Sequence, residues 1–186
     1  MDDPVTYVLG ALTEADCLDA QELRNEEAVR SGLRTPHLST KGSQEKFYRE
    51  VICNPASPHR YFAVRRDDAS KHCVGIVGLT NISWENGHTE ISLVIHASER
   101  GKGAGAAAVR LALEEAFDRM RLVTVYAECY DHNPALGFWQ KLMEELGGGC
   151  TVIPRRKLWS RRLHDSHFFW FVAKDPTPIA NTRDPA

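Results

Sequence analysis

Residues 91–106 read Ile91-Ser-Leu-Val-Ile-His-Ala-Ser-Glu-Arg-Gly-Lys-Gly-Ala-Gly-Ala106. An apolar run, Ile91 to Ile95, precedes the glycines, and an amphipathic segment, Ala107 to Met120, follows them. A strand, a glycine turn and a helix in this order form an anion site. The free N–H groups of the first helical turn point one way, and the helix dipole adds about half a positive charge there. The stretch therefore predicts a loop that holds a phosphate group, most simply a pyrophosphate.

The spacing within the loop limits which phosphate ligand it can hold. The sequence has no G-x-x-x-x-G-K-[ST], which excludes a P-loop nucleotidase. Gly101-x-Gly103-x-x-Ala106 fits the dinucleotide fingerprint, and Glu128 ends the next strand, where a ribose-binding acid would lie. Against this alternative, His96 to Glu99 separate the apolar run from the loop, and too few residues follow Glu128 for a second mononucleotide half.

A second pattern in the same stretch fits better. Arg100-x-x-Gly103-x-Gly105, read with Leu93 to Glu99 before it, resembles the acetyl-CoA-binding motif of the GNAT superfamily of N-acetyltransferases. The resemblance implies an α/β fold in a single domain. Its sheet is mixed and mostly antiparallel, with a central splayed parallel strand pair and flanking helices.

Two weaker stretches point to one branch of that superfamily. Leu23-Arg-Asn25 and the segment from Trp159 to Trp170 resemble the branch that includes ribosomal-protein N-terminal acetyltransferases. We expect an acetyltransferase domain over residues 1–174 and a poorly ordered C-terminal tail over residues 175–186, because the tail is rich in proline and poor in apolar residues.

Hydrophobic periodicity elsewhere agrees with this fold. It predicts a strand near residues 5–9, a helix from Thr13 to about Arg24 or Val29, a polar loop over 30–41 and a second helix from Ser43 to about Ile52. It then predicts an antiparallel meander over 61–95, a strand over 122–129 parallel to the one at 91–95, and a helix that starts at Asn133-Pro134 and ends before Gly147. It also predicts a closing strand pair, 151–153 and 166–173, joined by a basic loop.

The resemblance implies acetyl-CoA as cosubstrate. No pair of cysteines has zinc-ligand spacing, and His164 and His167 would face opposite sides of a strand, so we expect no metal. The resemblance assigns the backbone of Leu93, Val94 and Ile95 to the pantetheine arm. It assigns the loop to the pyrophosphate, through Arg100, Gly101, Lys102, Gly103, Ala104, Gly105 and Ala106.

Asn133 has two interpretations. The resemblance implies a contact with pantetheine, whereas the sequence Asn133-Pro134 predicts a helix N-cap followed by proline at the first helical position.

Acetyl transfer requires an amine that has lost a proton, and Glu90 is our candidate base, acting through water. The alternative is that Glu90 is a solvated hairpin residue. The sequence departs from the family pattern at Trp139, near the place of a tyrosine that is proposed to protonate the leaving thiolate. An indole cannot supply that proton near neutral pH. A thiolate of ordinary pKa, near ~8.5, is nevertheless a fair leaving group without an acid.

The predicted function is transfer of an acetyl group from acetyl-CoA to a primary amine of a small molecule or a protein N-terminus. One alternative is a CoA-binding module without turnover, suggested by Trp139, and another is a dinucleotide-binding oxidoreductase. The basic residues of Arg155-Arg-Lys157 and Arg161-Arg162 are either a solvated face or a recognition site for an acidic acceptor.

Composition excludes several other classes. A formal net charge of −2 gives no electrostatic footprint for general nucleic-acid binding. The N-terminus is acidic and has no apolar segment of a signal peptide, and no run approaches a membrane span. Five cysteines at scattered spacing favour a reducing compartment over a disulfide framework. We therefore expect a cytoplasmic enzyme that is a monomer or a homodimer.

Overall fold

The structure, a computed structural model, describes residues 5–174, so the predicted tail over 175–186 lies outside the described residues. The strands of this part are β1 (Tyr7–Ala11), β2 (Arg60–Arg66), β3 (Cys73–Ser83), β4 (His88–Ile95), β5 (Thr124–Tyr130), β6 (Gly149–Trp159) and β7 (Arg162–Val172). The helices are α1 (Glu14–Asn25), α2 (Glu27–Arg30), α3 (Lys41–Phe47), α4 (Ala104–Glu114) and α5 (Leu136–Leu146). Short π-helical turns, Tyr48–Ile52 and Glu115–Arg119, extend α3 and α4.

The single sheet consists of two antiparallel ribbons, β1-β2-β3-β4 and β5-β7-β6, that meet at its centre. Its strand order is β1-β2-β3-β4-β5-β7-β6, and every neighbouring pair is antiparallel except β4 and β5. The parallel ladder between β4 and β5 begins at His88↔Thr124 and ends at Glu90↔Tyr126. Beyond Glu90, β4 continues to Ile95 beside β3 alone, which confirms the splayed parallel pair.

Helix α4 covers the sheet through a face of small side chains. Ala104, Ala108, Val109 and Ala112 are fully buried against β1, β3 and β4, because short side chains let the helix approach the strands closely. This face continues into the main core, which also includes Val77, Leu79, Val125 and Phe169. None of the helices within residues 5–174 is long and apolar enough to span a bilayer.

The closing hairpin corrects one prediction. The segment around residues 155–162 is not a basic loop, because β6 and β7 continue through it and turn at Ser160 and Arg161. Both turn residues have positive φ, 47° and 62°, the conformation of a tight two-residue hairpin connection. A bulge between Ile153 and Lys157, with Arg155 at φ 54°, interrupts the ladder without ending it.

The start of α5 corrects a second prediction. The helix begins at Leu136, so Asn133 is not its N-cap and Pro134 is not its first residue. Asn133 instead forms a turn ahead of the helix: its Oδ1 accepts from the N–H of Ala135 at 2.9 Å, and its carbonyl accepts from the N–H of Leu136 at 2.9 Å.

Candidate active site

A cavity of about 710 Å³ opens where β4 and β5 diverge, within the size range of small-ligand sites, ~300–1,000 Å³. It lies between the end of β4, the glycine loop, the turn after α2 and the first half of α5. Its lining includes Gly32, Leu33, Leu93, Val94, Ile95, Arg100, Gly101, Gly103, Gly105, Ala106, Asn133, Phe138 and Lys141.

The glycine loop presents backbone N–H groups to this cavity. Gly101 and Gly103 have φ angles of 78° and 90°, which side chains rarely adopt, and a Cβ on either would meet no heavy atom within 4 Å. Gly103 directly precedes α4, so the next N–H groups belong to the first turn, which has no intrahelical acceptors. The loop therefore has the open space, the backbone donors and the dipole that a pyrophosphate requires.

Two predicted loop residues do not line the cavity. Ala104 is fully buried, so it can offer only its backbone N–H. The Lys102 amino group lies 3.4 Å from the buried carboxylate of Glu99, which Arg66 also contacts at 2.6 Å. This hydrogen bond from Arg66 holds the pKa of Glu99 below its ordinary value despite burial. The ion pairs anchor the loop from beneath, whereas Arg100 reaches the lining itself.

The end of β4 forms one wall of the cavity. Leu93, Val94 and Ile95 all line it, and they pair on their other side with Val77, Ile76 and Gly75 of β3. Because the ladder to β5 stops at Glu90, the β5-facing backbone of these three residues faces the gap. An extended ligand can pair with such a strand edge as a peptide does in β-augmentation.

Asn133 closes the cavity from the α5 side and packs against the turn after α2. A Cβ added at Gly32 would overlap with the Asn133 amide nitrogen, so a larger residue there would displace the Asn133 side chain. The turn after α2 therefore lies directly against the cavity, and it leads to Arg34, which contacts Glu90 and Glu128.

Arg34 connects two carboxylates across the junction of the ribbons. Its guanidinium donates to Glu90, at 2.5 Å from Nη2 to Oε1 and 3.0 Å from Nη1 to Oε2. It also donates to Oε2 of Glu128, at 2.6 Å from Nη2 and 3.2 Å from Nε. The side chains of Glu90 and Glu128 are only 12% and 4% exposed, whereas that of Arg34 is half exposed. Glu90 is therefore not a solvated hairpin residue.

Glu128 is the more firmly held of the two carboxylates. It accepts from the Ser166 hydroxyl at 2.6 Å and from Nε of Arg156 at 2.9 Å. Burial alone raises the pKa of Glu128, but the hydrogen bonds from Ser166, Arg34 and Arg156 outweigh it, so the net pKa is lowered. Glu128 belongs to this network within a mostly antiparallel sheet, and the dinucleotide-binding alternative is wrong.

Lys157 ties the Arg34 loop to the closing hairpin. Its buried amino group donates to the carbonyls of Leu33 at 2.7 Å and Arg34 at 3.2 Å, and it lies over the ring of Tyr130 at 5.1 Å. Burial lowers the pKa of Lys157. Arg156 and Lys157 are therefore both engaged within the protein, and the basic stretch is not a free anion-binding face at these two positions.

Trp139 lies in the core and does not line the cavity. It is 6% exposed and stacks on Phe169 with ring centroids 6.3 Å apart, while the neighbouring Phe138 faces the cavity. The Trp139 indole is thus a packing group, and it gives no reason to expect a module without turnover. Three residues of the site, Arg34, Phe138 and Lys141, were not predicted from the sequence, and only Phe138 has a signal there, its apolar position on α5.

Comparisons with known proteins agree with this geometry. The family model for the acetyltransferase (GNAT) domain matches residues 7–148. Spermidine N-acetyltransferase from Vibrio cholerae in complex with CoA and spermine is 23% identical, with a TM-score of 0.78 over 89% of this chain and 95% of that chain. A chimera of that enzyme with hSSAT is also 23% identical, with a TM-score of 0.76 over the same shares, 89% and 95%. No curated protein sequence matches.

The family model covers most of the chain, including the glycine loop and both strands of the splayed pair. The chain therefore belongs to the acetyltransferase (GNAT) family and is an acetyl-CoA-dependent N-acetyltransferase.

Proposed function

We propose that the acceptor is a small, cationic di- or polyamine whose ammonium group binds between Glu90 and Glu128. The observation that carries this proposal is the position of Arg34, whose guanidinium bridges the two carboxylates. A guanidinium on a half-exposed side chain is a cation held at this point by the protein itself. An alkylammonium, with three donors of its own, can take its place when Arg34 moves aside.

The two carboxylates are better fixed than the cation between them. Glu128 is held by Ser166 and Arg156, and Asn81 donates to Glu90 at 3.4 Å. Arg34 lies in the segment between α2 and α3, which has no regular secondary structure of its own. Lys157 holds the carbonyl of Arg34, so only the half-exposed side chain of Arg34 has to move for a charged substrate to replace its guanidinium.

The strand geometry supports Glu90 as the base. Glu90 is three residues before Leu93, the first residue of β4 in the cavity wall, a separation of about 10 Å along a strand. A carboxylate at that distance would take a proton from the amine through water, as in general base catalysis.

Acetyl-CoA supplies the acetyl group as a thioester when it is bound. The proposed cofactor site comprises the β4 backbone at Leu93, Val94 and Ile95, the loop residues Arg100, Gly101, Lys102, Gly103, Ala104, Gly105 and Ala106, and Asn133. In this assignment Lys102 and Ala104 act from outside the lining, Lys102 by holding the loop and Ala104 through its N–H. Glu90 receives the proton that the attacking amine loses.

The fold comparison and the composition support the same reading. The Vibrio cholerae relative was solved with spermine, a polyamine.

The resemblance to ribosomal-protein N-terminal acetyltransferases makes a peptide N-terminus the competing acceptor. All five cysteines are unpaired, which supports a cytoplasmic location.

An acceptor panel tests the proposal. Initial rates of CoA thiol release would be measured with three classes of acceptor. These are polyamines and diamines such as spermidine and spermine, monoamines that carry no second charged group, and peptides that begin with Ala, Ser or Met. We expect kcat/KM for the best polyamine to exceed that for every peptide by ~100-fold or more, the difference that two buried carboxylates can impose on charged ligands. A preference for a peptide would overturn the proposal in favour of N-terminal acetylation.

Arg34→Ala should bind the polyamine more tightly. Because the guanidinium no longer competes for the carboxylates, we expect KM for the best polyamine to fall about 10-fold, equivalent to roughly 1.4 kcal/mol. The measurement is steady-state kinetics at saturating acetyl-CoA. Arg161→Ala, in the exposed turn of the closing hairpin, is the matched control and should leave KM unchanged. A 10-fold rise in KM in the Arg34 variant would mean that Arg34 recognises an anionic acceptor.

A further inference from the structure

Asp131, His132 and His164 bring three metal-ligating side chains to one point beside the active site. Asp131 and His132 directly follow β5, and His164 lies on β7. One ligand atom from each residue lies within 4.8 Å of the other two. We propose that these three residues bind a Zn²⁺ ion, a site that the acetyl-transfer chemistry does not require.

The hydrogen bonding of His132 supports a cation at this point. Its Nε2 lies 3.1 Å from the carbonyl oxygen of Ser31, which can only accept, so Nε2 carries the hydrogen. In the neutral ring Nδ1 then holds a lone pair. This Nδ1 is buried without a hydrogen-bond partner, and it lies 3.5 Å from Oδ1 of Asp131. The lone pair and the carboxylate oxygen repel each other, and a metal ion bound by both, like a proton on Nδ1, would replace this repulsion with attraction.

The surrounding contacts resemble the outer shell of a metal site. Metal-bound histidines donate their second ring N–H to a carbonyl or carboxylate, as His132 does to Ser31. The N–H of Asp165 donates to Oδ2 of Asp131 at 3.1 Å, which leaves Oδ1 directed at the two imidazoles. Backbone groups therefore set the orientation of the His132 ring and of the Asp131 carboxylate.

The ligand spacing is close to that of a zinc site. Zinc bonds of about 2.0–2.2 Å place tetrahedral ligand atoms roughly 3.3 Å apart. Nδ1 of His132 lies 3.5 Å from Oδ1 of Asp131, near that value, and the two imidazole centroids are 4.1 Å apart. Nδ1 of His164 lies 2.7 Å from the same oxygen, a hydrogen-bond distance, so these two atoms would separate by about 0.6 Å to admit the ion. Two imidazoles favour zinc over Mg²⁺ and Ca²⁺, which prefer oxygen ligands.

The site is accessible and joins three elements. The Asp131 side chain is 41% exposed, whereas those of His132 and His164 are 18% and 16% exposed, so an ion can enter and keep a water as its fourth ligand. Through His132 and Ser31 the ion would hold the turn after α2 against the ends of β5 and β7. The proposed role of the ion is to hold the turn after α2 in place. This role does not depend on which amine is acetylated.

Titration calorimetry with ZnCl₂ tests the site. The protein would carry Cys53→Ser and Cys150→Ser, because these two thiols are exposed and could bind zinc themselves. We expect one Zn²⁺ per chain, no binding of Mg²⁺, and at least 100-fold weaker zinc binding in Asp131→Asn and in His164→Ala. His72→Ala, an exposed histidine in the β2–β3 turn, should bind zinc as the parent does.

Hydrogen exchange over residues 28–34 provides a second readout. Zinc should slow exchange there in the parent and in His72→Ala, but not in Asp131→Asn, whose side chain keeps its shape and whose fold is checked by circular dichroism. Absence of zinc binding in the folded parent would overturn the proposal. Equal affinity in the parent, Asp131→Asn and His164→Ala would overturn it as well.

Discussion

Glu90→Gln is expected to lower kcat/KM by ~100-fold or more near pH 7, the effect of losing a general base. A lysine-like amine has a pKa near ~10.4, so roughly one molecule in a thousand or fewer is neutral at pH 7 and the base is needed. At pH 9.5 about a tenth of the amine is already neutral, so the loss should be several-fold smaller. The measurement is kcat/KM for the best amine across this pH range.

Acetyl-CoA affinity and a second glutamate variant serve as controls for Glu90→Gln. Acetyl-CoA affinity should change little, because Glu90 does not line the cavity. Glu85→Gln, in the exposed turn between β3 and β4, should keep full activity at both pH values. Glu128 still pairs with Arg34 in the Glu90 variant, which limits the structural disturbance. An equal loss at pH 7 and pH 9.5 would show that Glu90 acts only in binding the ammonium group or in structure, and not as the base.

Gly103→Val should weaken acetyl-CoA binding by about 100-fold while the protein still folds. The branched side chain would project into the open space beside the loop and block the approach of a pyrophosphate to the backbone. The φ of 90° also strains any β-branched residue, at a cost of order 1–3 kcal/mol. Calorimetry with acetyl-CoA and urea unfolding measure the two effects separately.

Gly147→Val separates ligand contact from backbone strain. Gly147 ends α5 with a φ of 69°, its added Cβ would also meet nothing within 4 Å, and it is not in the cavity lining. The control should therefore lose comparable stability and keep its affinity for acetyl-CoA. Similar affinity losses in both variants would mean that strain, not the loop, controls binding, and unchanged affinity in Gly103→Val would remove the loop from the cofactor site.

The sequence predicted the fold well where local pattern and topology agree. The glycines between Ile95 and Ala107 mark a strand-to-helix turn, and a right-handed crossover then makes β5 parallel to β4. The prediction was wrong at the closing hairpin, because the charged residues Arg155, Arg156 and Lys157 are typical of a loop. Their side chains are in fact compatible with a strand, since Arg156 pairs with Glu128 and Lys157 with loop carbonyls.

The site was less predictable than the fold for a physical reason. Arg34 lies in a polar segment without periodicity, and its partners Glu90 and Glu128 are 56 and 94 residues away in sequence. Only the tertiary fold brings the three together. The Asn133-Pro134 signal was genuine turn chemistry, but the turn closes on Ala135, so the helix begins two residues later than the usual proline position predicts.

The short parallel ladder at the centre of the sheet has a thermodynamic consequence. Glu90 belongs to one ribbon and Glu128 to the other, and the parallel ladder between the ribbons extends from His88 to Glu90. A ligand that fills the gap beyond Glu90 contacts the β4 edge and α5 at once, so it sets the opening between the ribbons and with it the spacing of the two carboxylates. Occupation of the cofactor cavity and of the proposed amine site would then be linked, and each ligand would change the affinity for the other by the same factor.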